Sequence, residues 1–424
     1  MSTVRPSGLL ARKYLHVIAP CWIGSVIAYL DRINIAYAAL TMNADLGFSA
    51  RVFGMGAGIF FVGYVLFEVP GALVAERWSP RAWIARIMIT WSIVSCLMAF
   101  ISQEWHFYLV RFLLGAAEAS FYPVVYASVV PRWFTPEERP AAIALMLSSL
   151  QVSAIVGSPL AGWILGVPAF GLAGWQMLFI IEAVPAILFG IIVIFWLDDS
   201  PADASWLTPA EREELTRRFA LETEAKKAAR HYTVWEALRD REVLKLCFIY
   251  FLWITGYWGF NYWMPTALKE VSGWSTLAIG LLVVIPMTLS LAVMVALGFS
   301  SSRTGEKRWH GAAPVLLGAL GIGIGAFIKD PALNFAFVCL TAIGVYGAFG
   351  VWWSYPTTFL SGAAAAGAVG LINSFGNIGG YVGPYLTGYV KSLTGSFTYA
   401  YVYLACSLVV AGALMLTLRK GRVL

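Results

Sequence analysis

Long apolar segments, separated by short polar turns, run along almost the whole chain. Each is close to 20 residues or longer, and none alternates strictly between apolar and polar positions. A helix of about 20 apolar residues crosses the hydrocarbon core of a bilayer. The pattern therefore predicts an all-α membrane protein with twelve transmembrane helices. The spans cover about 15–40, 52–75, 82–102, 107–131, 140–166, 175–197, 244–268, 276–299, 311–328, 333–360, 367–390 and 397–418.

One long hydrophilic stretch, residues 198–242, divides these spans into six and six. Its charges recur at i,i+4 spacing, which fits either a short surface helix along the membrane or a plain solvated linker. We therefore predict two six-helix bundles joined by a cytoplasmic linker. The N-terminal bundle takes residues 1–197, the linker 198–242 and the C-terminal bundle 243–424.

Composition and charge place most of the surface in lipid. Hydrophobic residues make up 59% of the chain and charged residues 12%, against about 25% charged in a soluble domain. With the N-terminus in the cytoplasm, 23 Lys and Arg residues fall on the inside and four on the outside. This asymmetry predicts that both termini are cytoplasmic. The pI near 9.0 then reflects membrane topology and not nucleic-acid binding.

The sequence contains no pattern typical of an enzyme, a metal site or a cofactor site. Its five cysteines are odd in number, lack metal-ligand spacing and all lie in apolar segments, so we expect no disulfide or zinc site. No Walker motif or catalytic triad is present. We therefore predict a protein that is not an enzyme and uses neither a metal nor a cofactor.

The charged residues within the N-terminal spans include two acid–arginine combinations, Asp31 with Arg32 and Arg111 with Glu118. Charges in the bilayer are costly and usually functional. At 1.5 Å per residue, Asp31 lies nearest Arg111 in height, and Arg32 can reach Glu118. Arg111 and Glu118 are seven residues apart and share a helix face. The alternative is that these groups form static ion pairs that hold two helices together.

Four blocks of the sequence resemble the anion:cation symporter branch of the major facilitator superfamily, closest to its bacterial tartrate and phthalate transporter-like members. They are Leu30 to Ile35 (LDRINI), Phe53 to Pro70, Trp83 to Trp91 and Arg111 to Glu118 (RFLLGAAE). The resemblance implies a twelve-helix fold that works as a monomer, rocker-switch alternating access and proton symport of organic anions. It also implies that the acid–arginine pair in span one and the glutamate in span four carry coupling and anion binding.

Our functional hypothesis gives each of these charged residues a role. Arg32 binds the substrate carboxylate, because a planar guanidinium matches it. Glu118 gives up Arg32 and takes a proton, while Asp31 is a second proton site that releases Arg111. The protein would then be a proton-driven importer in a bacterial inner membrane. Its substrate would be a hydroxy-dicarboxylate such as tartrate, a sugar acid or an aromatic acid such as phthalate. The alternatives are a carboxylate exchanger or exporter and a non-transporting carboxylate sensor.

Other polar and aromatic residues in the spans could line the substrate cavity, although ordinary interhelical hydrogen bonding is an equal alternative for each. The candidates are Tyr29, Tyr64, Gln151, Asn261, Tyr262, Trp352, Trp353, Ser354, Asn373 and Asn377. We expect Glu76, Arg77 and Arg81 to form a cytoplasmic gating motif that contacts the end of another helix. Glu68 is given a gating or structural role, and Glu182 has no assigned role.

Overall fold

The computed structural model describes residues 6–228, 240–355 and 362–418. Within them, besides one helix in the linker and several short segments, the chain forms twelve long helices of the bundle. These are α1 (Ala19–Leu46), α2 (Ala50–Arg77), α3 (Pro80–Leu97), α4 (Glu104–Glu118), α5 (Arg139–Ile164), α6 (Gly174–Trp196), α7 (Arg241–Ser272), α8 (Thr276–Thr304), α9 (Arg308–Gly325), α10 (Pro331–Gly347), α11 (Gly362–Thr394) and α12 (Phe397–Leu416). No strand occurs in the described ranges.

The helices confirm the predicted all-α membrane fold. In the part of the chain that the structure describes, ten spans are long and apolar enough to cross a membrane. The other two helices are α9 and α11, which take the places of the ninth and eleventh predicted spans. α9 packs against α10 and α12, and α11 packs along α7 and α2. The twelve helices therefore form one packed membrane body.

Short polar residues begin several of the helices, and glycine ends the first of them. The Ser49 hydroxyl accepts a hydrogen bond from the Val52 amide at 3.2 Å at the start of α2, and Asp330 does the same for Leu333 at 2.8 Å at the start of α10. Such caps satisfy amide groups that have no partner in the first turn. Gly47 ends α1 with a φ of 67°, which glycine adopts without steric cost.

The fourth span is interrupted, whereas the sequence predicted a continuous span over 107–131. α4 ends at Glu118, and Ser120 has a φ of 73°, which is uncommon for a residue with a side chain. The indole of Trp83 donates to the Ser120 hydroxyl at 3.0 Å. Beyond the break the span continues through Phe121–Pro123, the π-helical Val124–Val129 and Val130–Trp133. Glu118, the predicted proton-coupling residue, thus lies at a helix end within the bundle.

The hydrophilic stretch between the halves contains a helix, Pro209–Ala228, which we call the linker helix. Arg12 pairs with Glu211 at 2.5 Å, and Arg139 pairs with Glu222 at 2.5 Å. Both arginines belong to the N-terminal half, so the linker helix is attached to that half by charge pairs. Of the two sequence alternatives, the structure has the surface helix.

We call the end of the bundle that carries the α1–α2 turn the outer end, on the basis of the predicted charge asymmetry. There the two halves approach through glycines. A Cβ atom added at Gly54 of α2 would lie 2.6 Å from the Pro384 carbonyl oxygen of α11, and one at Gly280 of α8 would lie 2.3 Å from the Ser158 carbonyl oxygen of α5. Only glycine permits backbones to approach this closely. The halves are therefore closed against each other at the outer end.

Within the described ranges, hydrogen bonds between the halves stop well short of the inner end. The innermost ones among the described residues join Asn373 to Glu68 at 2.8 Å and the Gln151 amide to the Met294 sulfur at 3.3 Å. Glu68 lies nine residues before the inner end of α2. The conformation is thus sealed at the outer end, with its deepest described hydrogen bonds about two turns above the inner end.

We predict that Gly54→Val prevents closure of the outer end, because the added side chain would overlap the Pro384 carbonyl. The population should shift toward outward-open states. The measurement is labelling of Ala36→Cys, beneath the outer contact, by an impermeant maleimide from outside, in a background with the native cysteines replaced. Labelling should rise several-fold with Gly54→Val and stay unchanged with Gly370→Val, where the added group has open space. Equal labelling in both variants would contradict this prediction.

Candidate functional site

The centre of the molecule holds the predicted ion pair between Arg32 of α1 and Glu118 of α4. The Arg32 Nη2 atom donates to Glu118 Oε1, and the two residues are 7% and 3% exposed. This pairing confirms the sequence prediction. Removing one partner of such a buried pair typically costs about 3–5 kcal/mol because the other charge stays uncompensated. Any step that separates the two groups must therefore supply a new partner or a proton.

Aromatic rings surround the Arg32 guanidinium. The ring centroids within 6 Å of its Cζ atom belong to Phe60 and Tyr64 at 5.1 Å, Tyr29 and Tyr122 at 5.8 Å and Trp258 at 5.9 Å. Sequence reasoning selected Tyr29 and Tyr64 but missed the other three. Helical spacing could have indicated two of them, since Phe60 lies four residues before Tyr64 and Trp258 four before Tyr262, on shared faces.

The Arg32 guanidinium has hydrogen-bonding capacity left over. A guanidinium carries five N–H donors, yet the buried Nε atom of Arg32 has no hydrogen-bond partner among the described residues. Both members of the ion pair are buried, with Arg32 7% and Glu118 3% exposed. The ion pair is therefore closed off in this conformation, and the halves must open to admit an organic acid. A separate cavity of about 10 Å³, lined in part by Tyr37, Asn261 and Tyr346, is about large enough for one water molecule.

Arg111 lies beside this site but makes a different set of contacts. It is 1% exposed and donates to the carbonyl oxygens of Gly56 at 3.2 Å and Ala57 at 3.4 Å. Its Cζ atom is 4.9 Å from the Phe60 ring centroid. No carboxylate forms an ion pair with it in the described part of the chain. The centre thus contains two guanidinium groups, one of which lacks an acidic partner.

The predicted pairing of Asp31 with Arg111 is wrong. Asp31 faces α3, where it accepts hydrogen bonds from the Trp91 indole at 2.8 Å and the Ser95 hydroxyl at 3.2 Å. The Asn34 amide donates to it at 3.2 Å. Successive residues on a helix point about 100° apart, so Asp31 and its neighbour at position 32 face different helices. The prediction compared only the heights of the two residues in the bundle and ignored the directions in which their side chains point.

A chain of hydroxyl and amide groups leads from the Arg32 site into the C-terminal half. The Tyr29 hydroxyl is hydrogen-bonded to the Tyr257 hydroxyl. Asn261 donates to the Tyr257 carbonyl oxygen at 2.7 Å and accepts from the Tyr346 hydroxyl at 2.6 Å. Two predicted residues, Tyr29 and Asn261, are therefore connected across the halves. Tyr262 stacks on Trp258 at 4.9 Å between ring centroids, which also places it near the site.

The two asparagines of α11 bind a carboxylate that sequence reasoning left with a gating or structural role. Asn373 donates to Glu68 Oε1 at 2.8 Å and Asn377 to Glu68 Oε2 at 3.2 Å. Their four-residue spacing placed them on one face, and both reach the same carboxylate of α2. This contact joins the halves at the inner side of the ion pair. Whether either amide also contacts substrate stays a prediction.

The remaining cavity candidates lie in other surroundings. The Trp352 ring stacks on Tyr250 at 5.4 Å between centroids. The Ser354 hydroxyl donates to the Val351 carbonyl oxygen of its own segment at 2.7 Å. Gln151 contacts α8 through its bond to the Met294 sulfur. Their roles as substrate contacts stay predictions.

The cytoplasmic motif contacts another helix end, as expected. The Arg81 amide donates to Asp199 Oδ1 at 2.9 Å, and its side chain lies 3.7 Å from Asp199 Oδ2. Asp199 follows the end of α6 at Trp196. Glu76 and Arg77 are exposed at the end of α2. A gating role for these residues is not tested by the contact and stays a prediction.

Known membrane transporters are similar to this chain in sequence and in fold. The family model described as Major Facilitator Superfamily matches residues 21–384. A protein of Agrobacterium vitis named "Putative tartrate transporter" is 43% identical over 97% of this chain and 95% of its own length. A "Quinolone resistance transporter" of Acinetobacter baumannii is 34% identical over 92% of this chain and 90% of its own. The inward-open xylose transporter XylE from E. coli shares the fold, with a TM-score of 0.75, 14% identity and 95% coverage of both chains.

We predict that Trp91→Phe lowers the free energy of unfolding by about 1.5–3 kcal/mol beyond the packing loss, because a buried carboxylate loses a donor. Trp133→Phe is the matched control. Its indole is equally buried but has no hydrogen-bond partner among the described residues. Denaturation of both variants in the same detergent measures the difference. Equal destabilisation would show that the Trp91 bond to Asp31 contributes nothing.

Proposed function

Since this chain belongs to the Major Facilitator Superfamily, we propose that it imports a small organic carboxylate together with protons by alternating access. It is a multi-pass membrane transporter and not an enzyme. The proposal places it in a bacterial inner membrane as a monomer, with both termini in the cytoplasm. The proton gradient supplies the driving force, and no cofactor is needed.

The observation that carries the proposal is the buried Arg32–Glu118 pair with unused donors on its arginine. Arg32 holds Glu118 through one nitrogen, while its Nε atom has no partner in the described structure. A second guanidinium, Arg111, lies nearby and forms no ion pair with any residue that the structure describes. A substrate carboxylate can therefore bind Arg32 in a bidentate manner, which is the geometry that guanidinium groups favour.

Coupling follows from the cost of an unpaired buried charge. When the substrate carboxylate occupies Arg32, Glu118 loses its positive partner. A carboxylate without a partner in a low-dielectric site takes up a proton. Substrate and proton are then bound together, and the pair can re-form only after both have left. That order gives symport.

The surroundings of Arg32 support a hydroxylated acid as substrate. The hydrogen-bonded chain from Tyr29 through Tyr257 to Asn261 supplies hydroxyl and amide groups beside the guanidinium. A hydroxy-dicarboxylate such as tartrate, or a sugar acid, presents hydroxyl groups that can replace these bonds. The name of the Agrobacterium vitis relative supports the same class. An aromatic acid such as phthalate would instead use the rings around Arg32.

The rival functions use the same fold without moving substrate and proton in the same direction. An exchanger would move one carboxylate against another, an exporter would work as an antiporter, and a sensor would bind without counterflow. The name of the Acinetobacter baumannii relative keeps drug export among the rivals. The two buried guanidinium groups favour an anionic substrate over a drug, because exported drugs are mostly neutral or cationic.

We predict that Glu118→Gln abolishes accumulation of the acid against its gradient but spares exchange. The substituted amide side chain still accepts a hydrogen bond from Arg32 but takes up no proton. The measurement compares gradient-driven uptake with counterflow in proteoliposomes. Glu104→Gln, at the exposed start of the same helix α4, is the control and should retain both activities. Accumulation that survives in Glu118→Gln would refute the assignment.

We predict that Arg32→Lys weakens carboxylate binding about ten- to hundredfold, because lysine keeps the charge but loses the bidentate hydrogen bonds. Binding is measured by calorimetry with the member of a panel of tartrate, gluconate and phthalate that binds the wild-type protein. Arg51→Lys, an exposed residue at the start of α2, should leave affinity unchanged. Equal affinities for all three proteins would remove Arg32 from the binding site.

A further inference from the structure

Another carboxyl group lies deep in the N-terminal half, and the transport scheme does not use it. Glu182 of α6 is 3% exposed, and both of its side-chain oxygens are buried without a hydrogen-bond partner among the described residues. None of the ion pairs found in those residues includes it. A carboxylate in such a site would carry an uncompensated charge, which costs several kcal/mol.

α6 packs against α1, and two polar side chains of α1 lie within range of Glu182. The Asn34 amide and the Asp31 carboxyl group are both close enough to act on it electrostatically, although no hydrogen bond joins Asn34 to Glu182 in the described structure. Asn34 donates to Asp31 Oδ1 at 3.2 Å, while its own Oδ1 atom is buried with no donor in the described structure. An orphaned acceptor on Asn34 therefore lies beside an orphaned carboxyl group on Glu182.

One proton resolves both deficiencies. If Glu182 is protonated, its hydroxyl can donate to Asn34 Oδ1, and the buried charge disappears. Asp31 can then remain ionised, because Trp91, Ser95 and Asn34 all donate to it. Ionisation of both carboxyl groups at once would bring two like charges together in a buried site, which is unfavourable.

We propose that Glu182 and Asp31, bridged by Asn34, form one proton-binding unit that holds a single proton between its two carboxyl groups. The Asn34 Nδ2 atom is turned toward Asp31 here, and in this arrangement the proposed proton lies on Glu182 and Asp31 is the anion. In the alternative arrangement the Asn34 amide is turned by half a rotation. The proton is then on an Asp31 oxygen that donates to Asn34 Oδ1, and Glu182 is the anion that accepts from Asn34 Nδ2.

The side chains that face the unit come from three helices. α1 contributes Asn34 and Tyr37, whose hydroxyl is taken up by Ser158 at 2.6 Å. α3 contributes Trp91, Ser95 and the Cys96 thiol, and Glu118 acts on Asp31 from α4 over a longer range. Arg32 points away toward Glu118, so the unit contains no cation. Its use in transport rests on the proposed function, because only a proton-coupled carrier needs a second proton site.

The test is infrared spectroscopy of the protein in lipid at neutral pH, which detects the C=O stretch of a protonated carboxylic acid directly. We expect Glu182→Gln to lose one such band that the wild-type protein and the exposed control Glu104→Gln both keep. Asp31→Asn should shift the frequency of that band. The shift should vanish when Asn34→Ala is added, because the bridge is then gone.

Two results would overturn the proposal. One is a spectrum of folded Glu182→Gln that has every protonated band of the wild-type protein. The other is a Glu182 band that does not respond to Asp31→Asn. If Glu182→Gln does not fold, Glu182→Asp serves instead, since the band must then move and an unmoved band contradicts the assignment. The spectra need no transport, so a wild-type protein that fails to accumulate any carboxylate would refute the proposed function alone.

Discussion

The centre of this molecule depends on one constraint: a charge buried in a bilayer-spanning bundle must be compensated, either by an opposite charge or by hydrogen-bonding groups. Arg32 and Glu118 satisfy each other, and the surrounding rings exclude the water that could replace either one. The ion pair and the aromatic rings around it come from α1, α2, α4 and α7. The requirement that the buried charges be compensated therefore involves both halves. A ligand that takes one partner therefore forces a change of charge or of conformation.

Helix contacts built on small residues make such a change of conformation feasible. The outer end is closed by backbone contacts at Gly54 and Gly280 and by Lys269 of α7, whose Nζ atom donates to the Leu40 carbonyl oxygen of α1 at 3.0 Å. Farther in, the halves are joined by hydrogen bonds, among them those of Glu68 to two asparagines. Contacts of this kind can be broken and re-formed at modest cost, whereas the ion pair cannot be left open. The ion pair can therefore separate only when substrate or a proton compensates its charges, and the glycine contacts allow the two halves to move apart.

Much of the fold and part of the site could be predicted from the sequence. The lengths of the apolar segments predicted the spans. The cost of a charge in the bilayer indicated that Arg32 and Glu118 are functional, and their heights along the helices predicted that they pair. The break after Glu118 could not be predicted, because it depends on Ser120 in a left-handed conformation held by a tertiary contact. The partners of Asp31 were missed because height along a helix does not specify direction. Glu182 was noticed but could not be interpreted until its neighbours were known.

We propose that carboxylate binding at Arg32 brings a proton into the cell. The most direct measurement is the internal pH of proteoliposomes that contain the wild-type protein, followed by an entrapped dye while carboxylates are added outside. The account predicts internal acidification with at least one hydroxy acid, and none in protein-free vesicles. Counterflow of that acid without any acidification would contradict it and would identify the protein as an exchanger.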